Sequence, residues 1–216
     1  MAPVLVVPLD ASNLDAIAPL FAACNCPCHC QFWHFAGAKN DWLARCAFTP
    51  EQNRADHEAQ IRAGDPAARG VLALDPADPS IALGWMKLAP RSTLPKLRRL
   101  PVYKNLDLDP DETPRGAIYS VGCFLVHPAH RGRGVARALL AGAIAHAREW
   151  GWPVRAIEAY PRISPEPMHA EEAWMGPTSI FDACGFVAIA GDAPYPVYRK
   201  ELAGDDIVNP PARRSV

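Results

Sequence analysis

A glycine-rich turn, "RGRGVA" (131–136), carries the residues of this sequence with the clearest chemical use. It stands between an apolar run and a long stretch with helical periodicity. When a strand, a glycine turn and a helix follow one another, backbone N–H groups and the positive end of the helix dipole converge on one spot, which suits a phosphate or pyrophosphate. Gly132 and Gly134 would allow close approach of the backbone, and Arg131 and Arg133 would add charge-assisted hydrogen bonds.

Two well-known phosphate-binding motifs do not fit this turn. A nucleotide phosphate loop ends in Gly-Lys-Ser/Thr, which the segment lacks. The dinucleotide fingerprint needs a third glycine at the position where Arg137 stands. That fingerprint should also lie near the start of a doubly wound unit, so it fits this turn badly. The turn therefore predicts a different phosphate-bearing ligand, and the alternative is a basic turn that binds none.

A second segment, "CNCPCHCQFWH" (24–34), holds four of the seven cysteines at every second position. In an extended chain, residues i and i+2 lie about 6.6 Å apart, whereas two sulfurs on one zinc ion lie within about 4 Å of each other. Cys24 and Cys28, or Cys26 and Cys30, would be better pairs for a metal, but only if the chain turned at Pro27. We therefore favour packing or pocket lining for these cysteines, while a metal site and a disulfide or redox role stay open.

The elements that must position these residues follow from hydrophobic periodicity and from turn signals. Strands are predicted at 4–9, 70–75, 81–89, 117–128, 153–161, 187–190 and 195–202. Helices are predicted at 13–24, 49–64, 134–151 and 179–186. Residues 90–116 show no clear period and are predicted to form a long excursion with at most a short helix. The order indicates a mixed α/β chain.

Length and composition limit the class of protein. The chain has 216 residues, of which 50% are hydrophobic, enough for one sizeable core. We expect one domain over 1–203 and a disordered tail over 204–216. The formal net charge of −1 argues against charge-driven binding to nucleic acid or membrane. No apolar run reaches the ~18 residues of a membrane span, and the first residues resemble a strand more than a signal peptide. The cytoplasm, where thiols stay reduced, is the expected compartment.

The motifs resemble those of the GNAT-type N-acetyltransferases. "RGRGVA" resembles their acyl-CoA pyrophosphate motif, Arg/Gln-x-x-Gly-x-Gly/Ala, with Arg131, Gly134 and Ala136 at the defining positions. "FLVHP" resembles the strand that pairs with the pantetheine arm, and "SIFDACGF" resembles a later helix that usually carries Tyr-x-x-x-Gly-Phe. The likeness follows the element order over about 1–202. It implies a GNAT fold of the α/β (α+β) class, with a mixed sheet of about six to seven strands, splayed at the acyl-CoA site and flanked by helices.

The resemblance implies acetyl-CoA as co-substrate and assigns its contacts. The residues expected to bind it are Phe124, Leu125, Val126, Arg131, Gly132, Arg133, Gly134, Val135, Ala136 and Ser179. The amide of Val126 is expected to donate to the oxygen that becomes negative during acyl transfer. Phe181 stands where the family has a tyrosine that protonates the leaving thiolate. A thiol has a reference pKa of about 8.5, so its thiolate can leave without that donor.

The catalytic candidates lie on the two strands that separate in the resembled fold. Glu158 and Tyr160 are two residues apart and share one face of a strand. Glu158 is expected to take the proton of the attacking amine, directly or through a water, and the alternative is an ion pair with a nearby arginine. Ser120, on the preceding strand, is expected to hold a water.

The acceptor end of the cleft is covered in this fold by the segment between the first two helices. We therefore expect Cys28, Cys30, Phe32 and Trp33 to face the cleft, and we assign no metal site. The tryptophans at 33, 42, 85 and 174 are candidates for an acceptor pocket, with core packing as the favoured alternative. The basic run "KLRRL" (96–100) would suit an acidic acceptor or the 3′-phosphate of CoA, with a solvated loop as the favoured alternative.

Together these observations predict an N-acetyltransferase that acts on a primary amine, either a small molecule or a peptide. Neither nucleic acid nor a membrane is an expected partner, and a homodimer would follow the habit of the family. The alternative is a non-catalytic CoA-binding protein or a sensor based on thiols or a metal, motivated by Phe181 and by the cysteines.

Overall fold

The computed structural model describes residues 4–114, 116–166, 168–169 and 172–202. The strands are β1 (Leu5–Pro8), β2 (Gly70–Leu74), β3 (Ala82–Pro90), β4 (Glu112–Thr113), β5 (Gly116–Val126), β6 (Val154–Ala159), β7 (Val187–Ala190) and β8 (Val197–Glu201). The helices are α1 (Ile17–Ala23), α2 (Lys39–Phe48), α3 (Pro50–Arg62), α4 (Val135–His146) and α5 (Thr178–Ala183). The predicted tail, 204–216, lies outside the described residues, and the single domain over 1–203 stays a prediction.

All the described strands belong to one mixed sheet, in the order β1-β2-β3-β5-β6-β8-β7, with β4 paired to β5. β5 and β6 run parallel, and their register ends at the pair Ser120 and Glu158. β5 nevertheless continues, paired with β3 on its other side, to Val126. A gap therefore opens between β5 and β6 beyond Ser120 and Glu158, and we call this gap the splay.

A β-bulge on β5 lies just inside the splay. Cys123 pairs with Lys87 and Val121 with Leu88, so that Gly122 is the extra residue between them. The carbonyl of Gly122 accepts a hydrogen bond of 3.0 Å from Nε1 of Trp33. A Cβ at position 122 would lie 2.9 Å from that nitrogen. Glycine therefore lets the indole of Trp33 lie directly against the strand.

The two faces of the sheet have separate cores because β-strand side chains alternate. On one face, α4 buries Val135, Leu139 and Leu140 against residues that include Met86 of β3. On the other face, α1 and the cysteine segment pack over β2 and β3. A third cluster joins Trp33 to the 90–106 loop at the far side of the splay; its buried members are Trp33, Ala89, Leu94, Leu97, Tyr103, Tyr160, Met175 and Val197.

The predicted class and the splayed mixed sheet are confirmed, with eight described strands instead of six to seven. The added strand is β4, which has two residues and lies within the 90–116 excursion, where at most a short helix was expected. α2 was not predicted, because Trp42 is its only buried residue and an apolar stripe is therefore missing. None of the helices in the described part is long and apolar enough to cross a bilayer.

The core of α4 gives a stability test. Leu139 is 0% exposed, so Leu139→Ala should lower the free energy of unfolding by about 2–5 kcal/mol through lost burial and a residual cavity. Leu43 of α2 is 53% exposed, and Leu43→Ala should change it by only about 0.5 kcal/mol. Urea denaturation measures both. Equal losses in the two variants would contradict this packing.

Candidate active site

The turn after β5 has the backbone that a phosphate site requires. Gly132 and Gly134 adopt φ of +71° and +82°, in the left-handed region that favours glycine, and α4 begins at the next residue, Val135. A Cβ at either glycine would meet no heavy atom within 4 Å. The space in front of the turn is therefore open, and the first amides of α4 lead into it.

A cavity of about 560 Å³ lies at this turn. Its lining residues are Phe124, Leu125, Val126, His130, Arg131, Gly132, Gly134, Val135, Ala136, Arg137, Ala173, Pro177, Ser179, Ile180 and Ala183. All the residues predicted to bind the cofactor line this cavity, with the exception of the exposed Arg133. Sequence reasoning did not assign His130 or Arg137. Arg137 could have been found, since it lies in the first turn of the helix that follows the glycines.

The free edge of β5 runs from the splay to this cavity. The amide of His127 donates to the carbonyl of Leu83 at 3.0 Å on the β3 side, so the backbone groups of Val126 face the open side. The carbonyl of Val126 accepts from Nε of Arg131 at 3.2 Å and from the thiol of Cys24 at 3.4 Å. Two residues earlier, the amide of Phe124 donates to the carbonyl of Trp174 at 2.6 Å.

Glu158 lies at the mouth of the splay and is fully buried. Nη1 of Arg91 lies 2.9 and 2.8 Å from its two oxygens. Nε and Nη2 of Arg199 lie 3.0 and 2.6 Å from Oε1. The ion pair that the sequence left open as an alternative is thus present, with two arginines. A carboxylate has about four lone-pair sites, and these contacts, together with one from Tyr160, occupy them. These contacts leave no lone pair of Glu158 free for a hydrogen bond from an amine.

Both arginines are held on their outer sides by the 90–116 excursion. Nε of Arg91 lies 2.5 Å from Oδ1 of Asp111, and Nη1 of Arg199 pairs with the carboxylate of Asp109. Burial alone would lower the pKa of Arg91, but Glu158 and Asp111 outweigh it and raise that pKa. The hydrogen bond from Arg199 lowers the pKa of Asp109. The excursion therefore completes a charge network at the splay.

The three predicted catalytic residues form one hydrogen-bonded chain. Oη of Tyr160 donates to Oε2 of Glu158 at 2.7 Å. Burial, and then the charge of Glu158, raise the pKa of Tyr160, which keeps its proton. Oγ of Ser120 lies 3.0 Å from Oη of Tyr160. The tyrosine hydroxyl has a single hydrogen, which forms the hydrogen bond to Glu158. In the pair of Ser120 and Tyr160, the serine must therefore be the donor. Its lone pairs stay available to accept a further hydrogen bond.

Phe181 belongs to the core. It is 0% exposed, and its ring centroid lies 5.4 Å from that of Phe186 and 6.1 Å from that of Phe124. Ser179, on the first turn of the same helix, lines the cavity instead. Helix α5 therefore contributes Phe181 to the core and the hydroxyl of Ser179 to the cavity.

The cysteine segment is a series of turns, which corrects the extended spacing considered above. Asn25, His29 and Cys30 have positive φ values of 50°, 41° and 58°. The turns bring the sulfurs of Cys26 and Cys28 within 3.5 Å, well beyond the ~2.05 Å of a disulfide bond. Within the described residues, no group of three or more His, Cys, Asp or Glu side chains has the geometry of a metal site.

The four predicted acceptor-site residues separate into two pairs. Trp33 lies against β5 through Gly122, and its ring contacts Phe32 at 5.2 Å between centroids. Cys30 instead points into the core beneath α1 and accepts from Nε1 of Trp85 at 3.3 Å. The sulfur of Cys28 lies next to Cys26 and to the amide of Cys30. Cys30 thus faces the core, whereas Cys28 is half-buried and packs against Cys26.

Buried histidines lie below the cysteine segment. His57 of α3 is 0% exposed, and neither of its ring nitrogens has a hydrogen-bond partner among the described residues. Its ring lies 5.8 Å from that of Trp85 and 6.3 Å from that of His29. Burial lowers the pKa of His29 to about 4 and lowers that of His57 as well. Both imidazoles are therefore neutral at neutral pH.

Residues 38–163 match the model of the family described as "Acetyltransferase (GNAT) family". The structure of ribosomal-protein-S5-alanine acetyltransferase from Vibrio fischeri is 15% identical, with a TM-score of 0.51 and coverage of 95% of this chain and 96% of that chain. This likeness concerns the fold. The comparison with curated proteins gives no significant match.

Two further structures resemble the chain over most of its length. YncA from Salmonella typhimurium, solved with its cofactor acetyl-CoA, is 17% identical, with a TM-score of 0.48 over 97% of this chain and 99% of that chain. The structure of histone acetyltransferase HPA2 and related acetyltransferase from Corynebacterium glutamicum is 19% identical, with a TM-score of 0.48 over 95% and 99%.

The buried ion pair gives a second stability test. Glu158→Gln would remove the buried carboxylate that Arg91 and Arg199 share, leaving only their outer partners, Asp111 and Asp109, and the free energy of unfolding should fall by about 3–5 kcal/mol. Glu201 also contacts Arg199, at 3.6 Å, but its side chain is 60% exposed, and Glu201→Gln should cost less than about 1 kcal/mol. Chemical denaturation at neutral pH measures the free energy of unfolding of the two variants. A Glu158→Gln protein as stable as the Glu201→Gln protein would contradict this role.

The buried histidines predict a pH dependence. Unfolded histidine has a pKa of about 6.5, above the lowered pKa of folded His57. Between those values the unfolded chain binds more protons, so stability rises with pH. His57→Phe should therefore narrow the difference in melting temperature between about pH 5 and about pH 7.

The matched control for that variant is His146→Phe. The side chain of His146 is 49% exposed, and this variant should keep the wild-type difference in melting temperature. If His57→Phe also keeps it, the assignment of the pH dependence to the buried imidazole is wrong.

Proposed function

Because the chain belongs to the acetyltransferase (GNAT) family, we propose that it transfers the acetyl group of acetyl-CoA to a primary amine of a small molecule or a peptide. The observation that carries the proposal is the continuity of one open strand edge with one basic cavity. β5 loses its pairing with β6 at Ser120 and runs on to Val126, where the glycine turn and its cavity begin.

The residues at the cavity fit a pyrophosphate with an extended arm. Arg131 and Arg137 supply positive charge, and the turn supplies open space beside its amides. The pantetheine arm would lie along the free edge of β5 and pair with the backbone of Phe124 and Val126. The amide of Phe124 would then exchange the carbonyl of Trp174 for the arm. When bound, the co-substrate supplies the activated acetyl group.

The reaction requires a neutral amine, a donor for the oxyanion and a leaving thiolate. The backbone amide of Phe124 faces the open edge of β5, two residues nearer the splay than that of Val126, and it is our candidate donor for the oxygen that becomes negative. Phe181 cannot protonate the sulfur, and the thiolate leaves unaided, since its reference pKa is only about 8.5. The chemistry therefore does not require a tyrosine at position 181.

Ser120 acts on the attacking nitrogen through water in this proposal, because it lies four residues along β5 from the Phe124 amide. Its hydroxyl proton is committed to Tyr160, so its oxygen can accept a hydrogen bond from a water that takes up the proton lost by the amine. Glu158 is a positioning residue, which acts through Tyr160 and through two arginines, one at the end of β3 and one on β8, that tie these strands to β6. Ser120→Ala would remove the acceptor and leave this network in place.

A second candidate is a CoA-binding protein that does not catalyse transfer. It is favoured by the carbonyl of Trp174, which occupies the Phe124 amide, and by the apolar side chain at Phe181. The two candidates make different predictions about turnover, whereas both predict CoA binding.

The deciding experiment incubates the protein with acetyl-CoA and a panel of primary amines. Acetylated amine is followed by mass spectrometry, since the chain's own free cysteines would react in a thiol assay. Catalysis predicts product with at least one amine and a lower kcat in Ser120→Ala. CoA binding without product from any amine would support the non-catalytic candidate and overturn our proposal.

The glycine turn gives a matched test of co-substrate binding. Gly134→Ala would place a methyl group in the open space where the phosphates are expected, and CoA affinity should fall at least about tenfold. Gly64 has a similar φ of +67°, also with no atom within 4 Å of a Cβ, but it follows α3 far along the chain from the cavity residues. Gly64→Ala carries similar backbone strain and should bind CoA as the wild type does. Calorimetry measures both affinities, and equal losses would contradict the assignment.

A further inference from the structure

The ammonium of Lys96 lies over three aromatic rings. Its Nζ is 4.2 Å from the ring centroid of Phe32, 5.6 Å from that of Phe35 and 6.0 Å from that of Trp42. We call these three rings the cage. Nζ also lies 3.5 Å from the carbonyl of Phe35, and within the described part of the chain no carboxylate forms an ion pair with it. The aromatic faces are thus its main partners.

The cage is built to hold its shape and opens towards solvent. Its rings contact one another, with centroids 5.8 Å apart for Phe32 and Trp42 and 5.3 Å apart for Phe35 and Trp42. Trp42 is buried, whereas Phe32, Phe35 and Lys96 are only half-buried. Several aromatic faces around one positive charge are the arrangement that proteins use to bind alkylammonium groups.

The position of the cage connects it to the splay. Phe32 contacts both Trp33 and Trp174, at 5.2 and 6.2 Å between centroids. Trp33 is hydrogen-bonded to the β5 bulge at Gly122, and the carbonyl of Trp174 to the amide of Phe124. The cage is therefore separated by one layer of indole rings from the strand on which the acyl group would lie.

We propose that the cage is the subsite for a second, positively charged nitrogen of the acceptor, and that the side chain of Lys96 fills it until such an acceptor binds. This inference rests on the proposed function. The attacking nitrogen must be neutral, whereas aromatic faces attract a cation, so the two nitrogens differ. The acceptor class is an aliphatic amine with a further ammonium group several bonds from the reacting one.

Lys96 is suited to leave the cage. Its backbone is held by a hydrogen bond of 3.4 Å from its amide to the carbonyl of Trp33, but its head is on a flexible four-carbon stem. Because the side chain is only half-buried, an incoming ammonium can replace it without unfolding the loop. Lys96→Met keeps the length of the stem and removes the charge that competes for the rings.

Direct binding tests the cage without any turnover. Choline and its neutral isostere 3,3-dimethylbutanol are titrated into wild-type and Lys96→Met protein, with tryptophan fluorescence as the readout. Lys96→Met should bind choline about tenfold more tightly than the wild type and at least about fivefold more tightly than it binds the neutral isostere. Adding Trp42→Leu should abolish that preference. Equal binding of the two probes, or binding that ignores Trp42→Leu, would overturn the proposal.

Circular dichroism checks that each variant folds, and Phe35→Leu replaces Trp42→Leu if the latter does not fold.

A turnover experiment then compares 1,5-diaminopentane with pentylamine, which differ only in the second nitrogen. The wild type should favour the diamine in kcat/KM, and Trp42→Leu should reduce this ratio about tenfold. Equal kcat/KM values for the two amines would overturn the proposed role of the cage but would not contradict the proposed function. Turnover of neither amine, with choline binding that still depends on Trp42, would count against the proposed function alone.

Discussion

The carboxylate of Glu158 between Arg91 and Arg199 is the interaction on which the functional end of this molecule depends. It lies where the parallel pairing of β5 and β6 ends, and its partners come from the end of β3 and from β8. A buried charge pair of this kind adds little net stability compared with an apolar core. It does fix geometry, because both guanidinium groups have directional donors. The network therefore sets where the sheet separates, and the separation makes the acyl-CoA site.

The same charge network explains the structural role of the 90–116 excursion. A long irregular segment usually needs a functional reason. Here Asp109 and Asp111 reach the outer sides of the two arginines, and Leu94, Leu97 and Tyr103 bury their side chains beside Tyr160. Without these contacts the arginines would face solvent, and Glu158 would lose its fixed partners. The excursion is thus part of the wall of the site.

The sequence predicted local features well and long-range contacts poorly. The strand, turn and helix around Gly134 could be predicted because hydrophobic periodicity and the conformational freedom of glycine depend on only a few neighbouring residues. The partners of Glu158 are 67 and 41 residues away along the chain, and spacing alone does not bring them together. Arg199 lies two residues from the buried Val197 on β8 and shares its face, and an arginine at an inward strand position was the available signal.

The cysteine segment shows why an assumed backbone can mislead. Two-residue spacing separates side chains only in an extended chain, and three residues with positive φ turn this segment instead. Asn, Asp and His visit that region more often than other residues with a side chain, whereas Cys does so rarely. The sequence contains no glycine in the segment that would have indicated turns. The aromatic residues beside the cysteines, Phe32 and Trp33, reach the splay because the turns end there.

The hydrogen bond from the amide of Phe124 to the carbonyl of Trp174 has a consequence for the free protein. The splay exposes an edge of β5 in the middle of the sheet, and an unpaired strand edge is a template for strands of other chains. A single carbonyl from the 172–177 segment breaks the regular ladder of donors and acceptors along this edge. The same contact that the co-substrate must displace therefore also protects the empty molecule from edge-to-edge aggregation.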